Sequence, residues 1–285
     1  MNQIIETTII VDTESYQIKP SQLLATHTGL SQAKIKEAMQ KGAVWLYRSN
    51  KKARLRRASK SLKYGDKLEI NYNAELLDQR VPVPILVHDE GDYSIWFKPY
   101  GLNCQGSRWG DFSSIHRWVE SHIAELTSGA ERPVFLVHRL DRATSGLMIL
   151  CHSKTAARLF SALFKEGKID KRYQAVVEGN CSDMPKDFLV DAEIDGKSAT
   201  SIFNCSKTKD NHSLVEVNLL SGRKHQIRQH LKFIGHPIIG DRLYGNANSG
   251  DCNLQLQSVS IAFTCPMRNK PQYFEVSDQL RLILK

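Results

Sequence analysis

Leu136-Val137-His138-Arg139-Leu140-Asp141-Arg142-Ala143-Thr144-Ser145-Gly146-Leu147-Met148-Ile149-Leu150 is the stretch whose reading decides the rest. Its last four residues form an apolar, strand-like run, and the residues before them carry the chemistry. Asp141 lies between Arg139 and Arg142, and guanidinium neighbours favour the ionised form of a carboxylate. Thr144, Ser145 and Gly146 follow. Hydroxyls and a glycine just before a buried strand are what a rigid loop needs to hold a carboxylate against a ligand. On charge pattern alone, a surface Asp paired with one Arg in a turn fits the same residues equally well.

The chain has 285 residues, enough for one large domain or for one plus a small appended module. With 41% hydrophobic and 24% charged residues it has an ordinary globular composition that can bury a core. A net charge of +9 favours a polyanionic partner such as nucleic acid. The six cysteines are scattered without a Cys-x-x-Cys pair, which fits reduced thiols in the cytoplasm better than a disulfide framework or a zinc site. Met1 to Gln17 carries Glu6, Asp12 and Glu14 and lacks the pattern of a signal peptide. No run approaches the roughly 18 apolar residues of a membrane span. His138, His225, His230 and His236 lack acidic or cysteine partners at ligand spacing, so no metal is expected. There is no Gly-rich phosphate loop and no Gly-x-Ser-x-Gly elbow, and no cofactor is expected either.

Taken in order, residues 1–75 read as a small module, 76–90 as a linker broken by Pro82 and Pro84, and 91–285 as the main domain. In the module, Thr8 to Val11 is a strand, Ser31 caps a helix running to Gln40, and Ile35, Ala38 and Met39 form its apolar face. Ala43 to Tyr47 and Leu68 to Tyr72 are strands. Between them, Arg48 to Lys63 holds Arg48, Lys51, Lys52, Arg54, Arg56 and Arg57 among its basic residues and contains no acid. Such a run is either a solvated face or a grip on phosphates. In the main domain, Tyr93 to Phe97 begins a hairpin, and Ser153 caps a helix with Ala156, Leu159, Phe160, Leu163 and Phe164 at helical spacing. Helices are expected near 115–126, 154–165 and 225–234. In the last of these Ile227, Leu231 and Ile234 share one side, and His225, Arg228 and Lys232 the other.

His138-Arg139-Leu140-Asp141-Arg142-Ala143-Thr144-Ser145-Gly146 resembles the signature loop of RNA pseudouridine synthases of the RluA type. Three further segments are similar to blocks of that family in the same order. They are Lys98-Pro99-Tyr100-Gly101-Leu102, Gly222-Arg223-Lys224-His225-Gln226-Ile227-Arg228-Gln229-His230, and Ile234 to Gly245. Tyr100 stands where the family more often has a small residue, and Lys224 where Thr or Ser is usual. The order of elements in the N-terminal module resembles the small RNA-binding domain shared by some ribosomal proteins and tyrosyl-tRNA synthetases.

The resemblance implies an α+β fold, with a mixed, mainly antiparallel sheet in the catalytic domain and a small α/β RNA-binding domain before it. It implies conversion of uridine to pseudouridine, with Asp141 catalytic, Arg228 as its ion-pair partner, and Tyr173 stacked on the uracil or relaying a proton. The implied RNA contacts are Arg139, Arg142, Thr144, Arg223, His225 and Lys232, joined by Arg48, Lys51, Lys52, Arg54, Arg56 and Arg57. The target nucleotide must be flipped out of its stack, and Arg139 is placed to fill the gap. The expected partner is RNA, ribosomal first and transfer RNA next, bound by a monomer with no membrane attachment. A catalytically silent RNA-binding assembly factor is the alternative.

Overall fold

The computed structural model describes residues 3–246 and 252–284 and separates the chain into two compact units. The first takes in Met1–Val81 and Gln105–Ser121, the second Pro82–Cys104 and His122–Lys285. This differs from a main domain running unbroken from 91. The return of 105–121 to the first unit is made by ion pairs across long sequence separation, which no local pattern announces.

In the first unit the elements are β1 (Ile4–Ile10), α1 (Pro20–Thr28), α2 (Gln32–Gln40), β2 (Val44–Arg48), β3 (Lys51–Arg54), β4 (Lys67–Asn73) and α3 (Ala74–Leu77). The strands form an antiparallel sheet in the order β1-β4-β2-β3. Ser31 caps α2 by accepting from the Lys34 N–H at 3.3 Å, and Ile35, Ala38 and Met39 are fully buried. The basic run opens as the β2–β3 hairpin. Its two-residue turn, Ser49-Asn50, has both φ angles positive, the geometry that matches strand twist.

In the second unit, β5 (Ile85–Asp89) and β6 (Tyr93–Lys98) form a hairpin in which Tyr93–Lys98 is the second strand and not, as the sequence suggests, the first; β5 lies in the stretch read as linker. α4 (Ile115–Leu126) begins in the returning segment of the first unit. Then come β7 (Phe135–Leu136), β8 (Ser145–Cys151), α5 (Lys154–Lys165), β9 (Asp170–Glu178), β10 (Phe188–Asp191), β11 (Thr200–Lys209), β12 (His212–Leu219), α6 (Gln226–Phe233), β13 (Leu256–Thr264) and β14 (Pro271–Glu275). The sheet runs β10-β11-β12-β9-β13-β8-β6-β5, with β14 on β13 and β7 on β8. Every pairing is antiparallel except β13 with β8. This is the mixed, mainly antiparallel α+β architecture read from the sequence.

β6 is buried at all six positions and β8 from Gly146 to Cys151, as their near-continuous apolar sequences require of strands covered on both faces. α5 starts where expected, with Ser153 accepting from the Ala156 N–H at 3.1 Å. Its Phe160 is fully buried against Tyr93 and Phe263, at ring separations of 4.9 and 5.2 Å. Truncating such a ring to Ala costs about 3–5 kcal/mol. Gly146 is required where β8 meets β13: its φ is +119°, and a Cβ would run into the Ser258 backbone.

No helix among the described residues is long and apolar enough to cross a membrane.

Candidate active site

The Asp141 loop is fastened from beneath. Lys98, fully buried at the end of β6, donates to the carbonyls of Pro99 (3.1 Å), Leu102 (3.0 Å) and Arg142 (3.4 Å). Three acceptors for three N–H groups are what a desolvated ammonium needs, and burial still lowers its pKa to about 8. Gly101 N–H donates to the Arg142 carbonyl at 2.9 Å, and Arg142 Nε donates back to the Gly101 carbonyl at 3.0 Å. The Lys98–Leu102 turn therefore fixes the loop that follows Asp141. On the other side the Cys104 thiol donates to the Leu140 carbonyl (3.0 Å), and the Leu140 N–H approaches the same sulfur at 3.3 Å. Thr144 closes the loop, its N–H donating to the Asp141 carbonyl at 3.1 Å.

Asp141 itself faces outward, its side chain 31% exposed. Arg228 Nη1 and His225 Nε2 approach the same carboxylate oxygen, Oδ2, at 3.8 and 3.6 Å. Arg228 has a closer partner that the sequence reading did not name. Its Nε and Nη2 donate in parallel to Asp241 Oδ2 and Oδ1, both at 2.7 Å. Asp241 Oδ1 also accepts from the Leu243 and Tyr244 N–H groups, at 2.9 and 3.0 Å. Burial opposes both charges. For Asp241 the Arg228 guanidinium and the two N–H groups outweigh it and hold the carboxyl below its usual range; for Arg228 the two aspartates outweigh it and raise its pKa. Far from lying on an open polar face of α6, Arg228 is 5% exposed. The signal for Asp241 was present in Gly240-Asp241-Arg242-Leu243-Tyr244-Gly245, but no periodicity links it to a residue thirteen positions earlier.

Asp141, Tyr173, Arg228, Arg139, Arg223 and His225 line one cleft of about 1280 Å³. Tyr173, in β9, is buried, which pushes its pKa up to about 12 against the lowering effect of its hydrogen bond with Ser258. Lys165, Lys168 and Lys171 line the same cleft, and sequence reading missed them. His138 is structural: its Nε2 accepts the Ile149 N–H at 2.9 Å and its ring stacks on Phe164 at 4.4 Å.

Of the remaining expected RNA contacts, Arg139, Arg142, Arg223 and Lys232 are exposed, whereas Thr144 is buried in the loop turn. In the first unit Lys51, Lys52 and Arg57 are exposed. Arg48, Arg54 and Arg56 are engaged internally. Arg48 forks onto Asp66, and Arg54 and Arg56 share Asp111 at 3.0 and 2.5 Å. These three arginines correct the picture of the basic run as a uniform open surface. No group of three or more His, Cys, Asp or Glu side chains that could hold a metal ion occurs among the described residues.

The family model for RNA pseudouridylate synthase matches residues 92–233, which include the Asp141 loop, Tyr173 and Arg228. The chain is 33% identical to the RNA pseudouridine synthase YjbO of Bacillus subtilis over 75% of its length and 80% of that protein. It belongs to the RNA pseudouridine synthase family, of the RluA type. An RNA pseudouridine synthase of Aquifex aeolicus is 30% identical over 90% of this synthase and 88% of its own length. The fold is shared with human RNA Pseudouridylate Synthase Domain Containing 4, at a TM-score of 0.57 and 22% identity over 67% of this synthase and 87% of that chain.

Proposed function

We propose that this synthase isomerises uridine within structured RNA, with Asp141 as its catalytic carboxylate. The observation that carries the reading is the placement of Asp141, approached by both Arg228 and His225 and open to a cleft that also holds Tyr173. In the reaction the C1′–N1 bond breaks, the base turns while held, and C5 bonds to C1′. One proton leaves C5 and one is taken up at N1. Nothing is oxidised and no group is imported.

Asp141 serves at the ribose or the base as nucleophile or charge stabiliser, oriented by Arg228. Tyr173, kept as a neutral phenol by its burial, offers a ring for the uracil to stack on and a hydrogen bond rather than a resting base. Arg139, exposed beside Asp141, fills the stack vacated when the nucleotide flips, a step costing a few kcal/mol. Arg223 and the lysines that line the cleft provide positive charge for the flanking phosphates, and His225 offers them a neutral imidazole.

The substrate we favour is large-subunit ribosomal RNA, then transfer RNA. A net charge of +9 and a separate basic unit with exposed Lys51, Lys52 and Arg57 support a large folded RNA. Relatives include Ribosomal large subunit pseudouridine synthase C of Vibrio vulnificus, 28% identical, and tRNA pseudouridine synthase C of Haemophilus ducreyi, 32% identical. None of the six cysteines is in a disulfide, which supports a cytoplasmic setting, and we take the chain to act as a monomer.

The test uses RNA tritiated at uridine C5, from cells lacking this protein, separated into ribosomal and transfer pools. Wild type releases tritium to water from one pool and Asp141→Asn does not. Tight binding without release from either pool would favour an assembly factor instead.

A further inference from the structure

Asp241 and Tyr244 lie three residues apart in one turn, and between them they hold both groups that approach Asp141. Asp241 grips Arg228 along one edge of the guanidinium, through Nε and Nη2. Its side chain has no solvent exposure, and the Leu243 and Tyr244 N–H groups fix it in turn. Only the third nitrogen, Nη1, is left, and it faces Asp141 Oδ2.

Tyr244 holds His225. Its hydroxyl lies 3.1 Å from His225 Nδ1, and the rings meet edge to face at 5.7 Å. With the phenol donating to Nδ1, Nε2 carries the imidazole proton, and Nε2 is the atom 3.6 Å from that same Oδ2. The Tyr244 ring also lies under the Arg228 guanidinium at 5.0 Å. His225 sits at φ +56°, ψ 24°, a left-handed conformation that costs a residue with a Cβ energy and that turns its ring toward Asp141.

We infer that the Asp241–Tyr244 turn is the positioning element of the reaction: through Arg228 and His225 it anchors Asp141 by Oδ2 and leaves Oδ1 as the reacting oxygen. The inference rests on Asp141 being the catalytic carboxylate. A carboxylate forked directly by an arginine has both oxygens occupied. Here Asp241 takes the fork, so Asp141 receives direction and nearby positive charge without being tied down. Both approaches to Oδ2 are longer than hydrogen bonds, leaving room to tighten as charge develops. The charged and titratable groups around His225 are Asp141, Arg228, Lys224, Asp241 and Tyr244. Asp241 and Tyr244 are positioning residues, since each acts on Asp141 through another side chain.

The experiment compares full-length wild type, Asp241→Asn, Tyr244→Phe and Asp141→Asn in tritium release from the responding RNA pool. It records kcat and KM separately across pH, with thermal melting of each variant. We expect Asp241→Asn to lower kcat about 100-fold with KM nearly unchanged, because a misdirected carboxylate fails in the chemical step. Tyr244→Phe keeps the ring under Arg228 and should lower kcat roughly 10-fold.

Values of kcat within twofold of wild type in both variants would overturn the inference. So would kcat losses that merely follow loss of folded protein. If Asp241→Asn does not fold, Tyr244→Phe decides alone, since it removes a single oxygen. An active Asp141→Asn would instead defeat the underlying assignment of Asp141.

Discussion

The Asp141 cleft and the basic run of the first unit look alike in sequence, each a dense group of cations, yet the structure uses their charges in opposite ways. In the cleft, buried Asp241 spends two hydrogen bonds on fixing one arginine so that a further nitrogen can face an open carboxylate. In the basic run, half of the named cations close the fold on themselves. Arg48 forks onto Asp66, and Arg54 and Arg56 converge on Asp111 while also donating to the Gly42, Ser107 and Gln40 carbonyls. The run contains no acid, but the chain supplies acids from 18 and 55 residues further on. Charge density counts donors; it does not say which of them already have acceptors.

Three variants sharpen that contrast, and a fourth probes pH. Arg228→Lys keeps the charge but loses the fork, since an ammonium cannot make two parallel bonds to one carboxylate. Activity should fall roughly 100-fold or more in kcat with RNA affinity retained; near-normal kcat would mean that charge alone suffices at this position. Arg54→Ala should instead cost stability, about 1–3 kcal/mol of unfolding free energy by denaturant titration, because it leaves Asp111 partly unpaired. An unchanged midpoint with weakened RNA binding would return Arg54 to the binding surface.

Neutralising Lys51, Lys52 and Arg57 together should leave melting unchanged. It should weaken RNA binding several-fold and flatten its salt dependence by up to about three units of log–log slope. A salt slope equal to wild type would remove the basic run from the interface.

A further effect concerns pH. Lost solvation, with Lys171 adding to it, holds the His138 pKa near 3 in the folded protein, below the unfolded value of about 6.5. Between those values the unfolded chain binds a proton that the folded chain excludes, so stability declines as pH falls from 6.5 toward 3. His138→Asn should be less stable at neutral pH and show a shallower acid decline. An equally steep decline would place the acid sensitivity in other groups.

What the sequence made legible was local. Ser31 and Ser153 marked the starts of α2 and α5, and the apolar run after Gly146 became a central strand, because caps and periodicity act within a few residues. α1 went unread although Pro20 opens it and Gly29 ends it, since its buried Leu23 and Leu24 are adjacent and make no stripe. The stretch read as a linker holds β5 and the last two residues of α3. At the site, the residue types of the Asp141 loop were visible, and so was Arg228, but their connections were not. Arg228 was expected on an open face of α6 because helical spacing shows direction and not what meets it. Asp241 buried it instead. His225 was read into the helix, yet it precedes the helix in a left-handed conformation that spacing cannot encode. Lys98 looked like part of a turn, and only the fold shows it fastening the carbonyl that follows Asp141.

The most direct measurement of the central claim is made on the product. Ribosomal and transfer RNA from cells lacking this protein would be treated with wild type or Asp141→Asn, digested to nucleosides and separated chromatographically. Wild type should convert uridine to pseudouridine in one pool, while Asp141→Asn binds the same RNA and leaves its uridine unchanged. Pseudouridine formed equally by both would contradict the assignment of Asp141, and none formed by wild type in either pool would contradict the reaction itself.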